Sequence, residues 1–149
     1  MTYLHSHVGK FFEVTAKVQE TAEDGSLVAA KHTIACNAAS FGEAEEIGIK
    51  QLSLDGLRDI DTTSINIAPY KEVFISDEAK DEKFFKAKLA FITIDEKSGK
   101  EKRTTTLYLV QASSLASAVT NVDGIMRDTM INYDSISITA SPVEQAFCR

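Results

Sequence analysis

The chain is short of the residues that punctuate or cross-link a fold: 149 residues hold two prolines, two cysteines, seven glycines and no tryptophan. So little Gly and Pro excludes a collagen-like or low-complexity protein, and a 44% hydrophobic content excludes intrinsic disorder. Two cysteines cannot form a disulfide framework, which fits a reducing cytoplasm. No run approaches the ~18 apolar residues of a membrane span. The opening MTYLHSHVGK has no apolar signal core. A formal charge of −6 argues against a general affinity for nucleic acid. What the sequence does contain is an internal echo.

Phe11-Phe12-Glu13-Val14 has a counterpart in Phe84-Phe85-Lys86-Ala87, 73 residues later. Pro69 and Phe74 recur at the same offset as Pro142 and Phe147, each pair closing a Pro-x-x-x-x-Phe segment. Between these anchors Gly25 matches Gly99, and Ser40-Phe41 matches Ser114-Leu115, at an offset of 74. The second hairpin therefore carries one extra residue, and one fewer follows later. We read the chain as a tandem duplication of a strand-strand-helix-strand unit.

In the first copy Phe12, Val14, Ala16 and Val18 alternate with polar residues, the period of a strand with one buried face. Glu23-Asp24-Gly25-Ser26 supplies a turn, and Val28, Ala30, Ile34 and Cys36 share one face of the return strand. Ser40-Phe41-Gly42-Glu43 is a capping box opening a helix with Phe41, Ala44, Ile47 and Gly48 on one side. Ser64 to Ala68 form the last strand. In the second copy Phe85, Ala87, Leu89 and Phe91 alternate, Lys97-Ser98-Gly99-Lys100 turns, and Thr104 to Val110 return. Ser114 caps a helix whose Leu115, Ala118, Val119, Val122, Ile125 and Met126 follow helical spacing, and Ser135 to Ala140 close the unit.

The expected fold class is α+β: mostly antiparallel sheet with two amphipathic helices. The expected organisation is an N-terminal segment, 1–10, then a single globular domain, 11–149. That domain is made of repeats 11–76 and 84–149, joined by a charged linker at 77–83 that forms at most one helical turn. The repeats are expected to hide their apolar faces in one shared core. Six short strands leave sheet edges, so homo-oligomerisation is expected.

Catalytic chemistry finds no foothold. His5 and His7 could share one face of a strand, but a metal needs three or four ligands and the only other histidine is His32. The bland reading is a flexible segment bearing two histidines. Cys36 reads as packing and Cys148 as a solvated thiol, since neither has a base positioned to activate it. Glu43, Glu45 and Glu46 occupy a first helical turn, where negative charge is favourable on dipole grounds alone. Nucleophile-elbow and phosphate-loop patterns are absent. The reading is therefore not an enzyme, with no catalytic residue, no metal and no cofactor.

Charge is more informative. Residues 11–76 carry 5 basic and 11 acidic side chains, whereas 84–149 carry 8 basic and 7 acidic. The second hairpin concentrates Lys86, Lys88, Lys97, Lys100, Lys102 and Arg103, with Tyr108 nearby. Lys86, Lys88, Lys100, Lys102, Arg103 and Tyr108 are the candidate ligand-binding residues, suited to a phosphate or a single strand. The alternative is a solubilising hairpin whose lysines guard an edge.

Phe91-Ile92-Thr93-Ile94-Asp95-Glu96-Lys97-Ser98-Gly99-Lys100-Glu101-Lys102, then Tyr108-Leu109-Val110-Gln111-Ala112-Ser113, together with Tyr70 to Glu78, carry a resemblance. The chain resembles an uncharacterised family of domain-of-unknown-function proteins encoded by gut anaerobic bacteria, their conjugative elements and their phages. The resemblance covers about residues 11–147 and implies a cytoplasmic phage or mobile-element product; it carries over no catalytic residue. The functional expectation is a non-enzymatic binding protein holding a small anionic, nucleotide-type ligand at a repeat or subunit junction, sequestered from host defence. The rivals are an accessory protein for single-stranded nucleic acid and a module that docks on a host protein.

Overall fold

The computed structural model describes residues 3–149. Among them nine strands and two helices follow in the order β1 (Leu4–His7), β2 (Phe11–Thr21), β3 (Leu27–Asn37), α1 (Phe41–Leu54), β4 (Arg58–Ala68), β5 (Glu72–Ser76), β6 (Lys83–Ile94), β7 (Glu101–Ala112), α2 (Leu115–Thr129), β8 (Asn132–Ala140) and β9 (Gln145–Phe147). The class is α+β, with antiparallel pairings in the majority. The chain divides into two compact units. One joins Gly9–Pro69 to Pro142–Arg149 and carries α1; the other joins the residues up to Val8 to Tyr70–Ser141 and carries α2.

The α1 unit is a four-stranded sheet in the order β4-β2-β3-β9. Alternation along β2 puts Phe12, Val14, Ala16 and Val18 on the helix side, where they pack with Ile34, Cys36, Ala44 and Leu52. Ser40 caps α1 by accepting from the Glu43 amide, while the Glu43 carboxylate accepts from the Ala39 amide, a near-complete capping box. Gly48 is buried because a Cβ there would lie 2.9 Å from Val14 Cγ1; helix and strand meet at van der Waals distance.

The α2 unit is a five-stranded sheet in the order β1-β5-β7-β6-β8. Its core beneath α2 gathers Leu4, Phe74, Ala87, Leu89, Tyr108, Val110, Val122, Ile125 and Met126. Ser114 caps α2 by accepting from the Ser117 amide. The helix ends at Met130, an L-residue in the left-handed region at φ 58°.

One pairing plan serves both units. A long hairpin (β2–β3, β6–β7) pairs antiparallel with the strand after its helix (β4, β8), and a short strand (β9, β5) lies parallel to the return strand. Both post-helix strands carry a bulge opposite matching positions, at Thr15/Ala16 and at Lys88/Leu89. The hairpin loops are Ala22–Ser26 and Asp95–Lys100, one residue longer in the α2 unit. A second bulge, at Lys17/Gln19 where Asp59 takes φ 53°, gives β4 its own extra residue. Even the closing contacts agree: the Ser76 amide donates to Gln111 Oε1 at 2.8 Å and the Arg149 amide to Asn37 Oδ1 at 2.9 Å.

Several expectations change. Strands number nine among the described residues rather than six, because the Pro-x-x-x-x-Phe segments pair as β5 and β9 and the N-terminal segment supplies β1. The expected repeat limits are not the unit limits: β5 lies in the α2 unit and β9 in the α1 unit. The stretch 77–83 forms no helix: after a bend at Asp77 the Asp81 amide donates to the Glu78 carbonyl at 3.1 Å, closing a single turn before β6, and Asp81 is buried. Ser76 Oγ donates to Asp81 Oδ2 at 2.5 Å, and Gln111 Nε2 donates to the Asp81 carbonyl at 2.7 Å. Asn121, buried on α2, extends this network by donating to the Gln111 carbonyl and accepting from the Tyr3 hydroxyl. Asp81 alone of this charged stretch is buried, and it is bonded into the fold by these groups.

Candidate functional site

Within the α2 unit, the C-terminal end of α2 and the strands β1, β5 and β7 line a cavity of about 220 Å³. Leu4, Phe74 and Ile125 make its apolar wall; Tyr108, Glu72, Asp128 and Thr129 are its polar groups. Each is placed by local rules. Leu4 and Ser6 alternate on β1 with His5 and His7, so Leu4 enters the core and Ser6 donates to Glu72 Oε2 at 2.5 Å. Glu72 stands opposite Tyr108 in the parallel β5–β7 register. Ile125, Asp128 and Thr129 come from the last turn and a half of α2. The Thr129 hydroxyl is used inside the helix end, donating to the Met126 carbonyl at 2.7 Å.

Tyr108 is the central group. Its ring is held edge-on by Phe74 at 5.2 Å and by Phe91 at 6.1 Å. The residue is only 3% exposed, and its hydroxyl meets no hydrogen-bond partner among the described residues. Burial, and then the charge of Glu72, push this phenol up to about 12, so it stays protonated. Among the described residues no lysine or arginine lines the cavity. The helix end adds carbonyl dipoles of negative sense.

The residues singled out from sequence are dispersed. Lys86 and Lys88 stand opposite Leu109 and Leu107 on the sheet face away from α2, and strand alternation adds Arg103 to that face. Arg103 is already paired, its Nη2 2.7 Å from Asp134 Oδ2 on β8. Lys100 belongs to the turn, where its carbonyl accepts from the Asp95 amide. Lys102 and Tyr108 share the other parity of β7, at opposite ends. Tyr108 stands in register with Ala87, on the helix side. The six do not converge on one site. Leu4, Glu72, Ile125 and Asp128, which do converge with Tyr108, come from three segments other than its own, and only the helical spacing of Ile125 marks it as inward-facing.

Two of the three histidines have acidic partners. His5 Nε2 lies 2.6 Å from exposed Asp77. His32 lies between Glu20 and Glu144, at 2.5 and 2.6 Å. Burial alone would lower the His32 pKa, but the bonds and charges of Glu144 and Glu20 outweigh it and the pKa is raised. Cys36 is buried and pushed up to about 11 by burial and then by Glu43, far from a reactive thiolate. Among the described residues no group of three His, Cys, Asp or Glu side chains could hold a metal, and no helix is long and apolar enough to cross a membrane.

Fold and cavity together define a two-unit α+β protein with a half-open, tyrosine-lined pocket in its α2 unit. Residues 10–148 match the domain of unknown function DUF4494, and the chain belongs to that family. Comparison with curated proteins and with solved structures finds no match.

Proposed function

We propose that this protein is a non-enzymatic small-molecule-binding protein, with the cavity beneath α2 as its site. The observation that carries this reading is Tyr108: its ring is buried, while its hydroxyl, which no described group bonds, is a free polar group beside the cavity's apolar wall. The lining favours holding over reacting. Its hydroxyls are a phenol held protonated by burial and by the charge of Glu72, and a threonine bonded within its helix. About 220 Å³ lies below the roughly 300–1,000 Å³ of drug-sized sites, so the ligand is a small one.

The test is a ligand-observed NMR screen of small fragments against the wild type, Ile125→Trp and Leu4→Phe, two variants that fill the cavity from different walls. The reading expects hits whose signals are lost in either folded variant. An absence of hits, or hits that persist in both, overturns it.

The basic hairpin favours a second reading, weak attachment of an anion or single-stranded nucleic acid on the face shared by Lys86, Lys88 and Arg103. That binding would fall steeply with salt, whereas cavity binding would fall little. We extend the first reading to a cytoplasmic phage or mobile-element product, supported by the resemblance of the second hairpin and by two unpaired cysteines. Self-association through the edge strands β4 and β8 belongs to the same proposal. We also read the shared pairing plan as the trace of a duplicated ancestral unit.

A further inference from the structure

We infer that the ligand of the α2 cavity is a small organic cation, an ammonium on a short apolar body, held by Glu72 and Tyr108. This rests on the cavity reading above and adds the sign of the ligand's charge. It reverses the anionic ligand that the basic hairpin suggested.

The two units supply the argument through their registers. In the α2 unit Glu72 stands opposite Tyr108 across the β5–β7 pair. In the α1 unit the corresponding pair across β9–β3 is Gln145 opposite Ile34. There Gln145 Nε2 donates to Asp55 Oδ2 at 2.8 Å, so an amide from the short strand satisfies a carboxylate just after the helix. Ile34 fills the space with hydrocarbon and is fully buried. That corner needs no ligand.

In the α2 unit the same corner is built from different chemistry. The short strand contributes a carboxylate, Glu72, in place of the amide, and a second carboxylate, Asp128, lines the same space from α2. Glu72 accepts one hydrogen bond, from Ser6. Tyr108 substitutes a phenol for the isoleucine, and its hydroxyl is left facing the cavity. The carbonyl end of α2 reinforces the negative potential, and among the described residues no basic side chain lines the space. An ammonium supplies up to three donors for the Glu72 carboxylate and the Tyr108 oxygen. Leu4, Phe74 and Ile125 then cover its carbon chain. An anion entering here meets the Glu72 carboxylate.

The test uses three probes of one shape at pH 7, n-butylammonium, n-butanol and butyrate, titrated into the intact protein. The inference expects n-butylammonium to bind at least tenfold more tightly than n-butanol, with butyrate weakest. Glu72→Gln should weaken the ammonium roughly tenfold and leave n-butanol unchanged. Tyr108→Phe should weaken both polar probes with the melting temperature held. If butyrate binds as well as n-butylammonium, or folded Glu72→Gln keeps full ammonium affinity, the cation inference fails while the cavity reading stands. If none of the three binds and the fragment screen is also empty, the cavity reading itself fails.

Discussion

The two units solve one packing problem with the large and small residues exchanged. Beneath α1, Val14 on the strand faces Gly48 on the helix, with Gly48 close enough that a methyl group would collide. Beneath α2 the corresponding positions are Ala87 on the strand and Val122 on the helix, both fully buried in one cluster. Volume is kept while its source moves across the interface, which is how close-packed cores tolerate sequence drift. Low identity between two copies of one plan is therefore compatible with a common arrangement. What matters at each site is the sum of the two side chains.

Gly48→Val breaks that complementarity most severely. It should lower stability by about 3 kcal/mol, read as the urea midpoint, because even a Cβ at this position meets Val14 Cγ1 at 2.9 Å and Cβ at 3.3 Å, and a β-branched side chain has little rotamer freedom to give way. Val14→Ala alone should cost about 2 kcal/mol by leaving a cavity. Together they recreate the arrangement of the α2 unit, and the double variant should be more stable than Gly48→Val. A double variant that is worse than either single one would show that the two interfaces are not equivalent.

Polar cores distinguish the units next. Asn121 is buried on α2 and joins Tyr3 to Gln111, whereas the corresponding helix position in α1 is Ile47, packed as hydrocarbon. Asn121→Ala should destabilise by about 2 kcal/mol, because it orphans the Tyr3 hydroxyl and the Gln111 carbonyl. Ile47→Asn should be harmful for the opposite reason, burying an amide without partners. Thermal melts of both variants check the pair.

The helix ends give a smaller effect of opposite sign. α1 is followed by Gly56 at φ 86°, while α2 stops at Met130 in the left-handed region. Met130 is 91% exposed, so it has little packing to lose. Met130→Gly should stabilise by about 1 kcal/mol, and Gly56→Ala should destabilise by a similar amount.

Least in size is a pH effect confined to the α1 unit. The groups facing His32 are Glu20 on β2 and Glu144 beside β9. Its raised pKa means the stabilisation is complete below the unfolded imidazole pKa and is lost as pH rises through the folded value. Amide exchange at Gln145–Phe147 should therefore quicken with pH beyond its intrinsic dependence, and Glu144→Gln should remove the excess. The corresponding strand position in the α2 unit is Thr106, which has no proton to lose, so β5 should show no such excess.

The contrast also explains what the sequence made legible. The long hairpins and both helices were readable because their signals are local: alternation in Phe12–Val18 and Phe85–Phe91, and caps at Ser40 and Ser114. β1, β5 and β9 were not read as strands, since three to five residues carry too little pattern and their partners lie far along the chain. Asp81 looked like one more linker charge; only the fold brings Ser76 and Gln111 to it. Tyr108 and the basic residues near it in sequence do not lie together in the fold. The alternation of Tyr108 with Val110 already put it on the apolar face, away from Lys86 and Lys88, and that parity outweighs nearness in sequence. The cavity itself had no local signature, because its walls come from four segments.

The most direct measurement is a residue-resolved amide NMR titration of the intact protein with n-butylammonium. The account predicts saturable shifts confined to Leu4, Glu72–Phe74, Tyr108 and Ile125–Thr129. Shifts gathered instead on the 95–100 turn and the Lys86–Lys88 face, or no saturable shift anywhere, would contradict it.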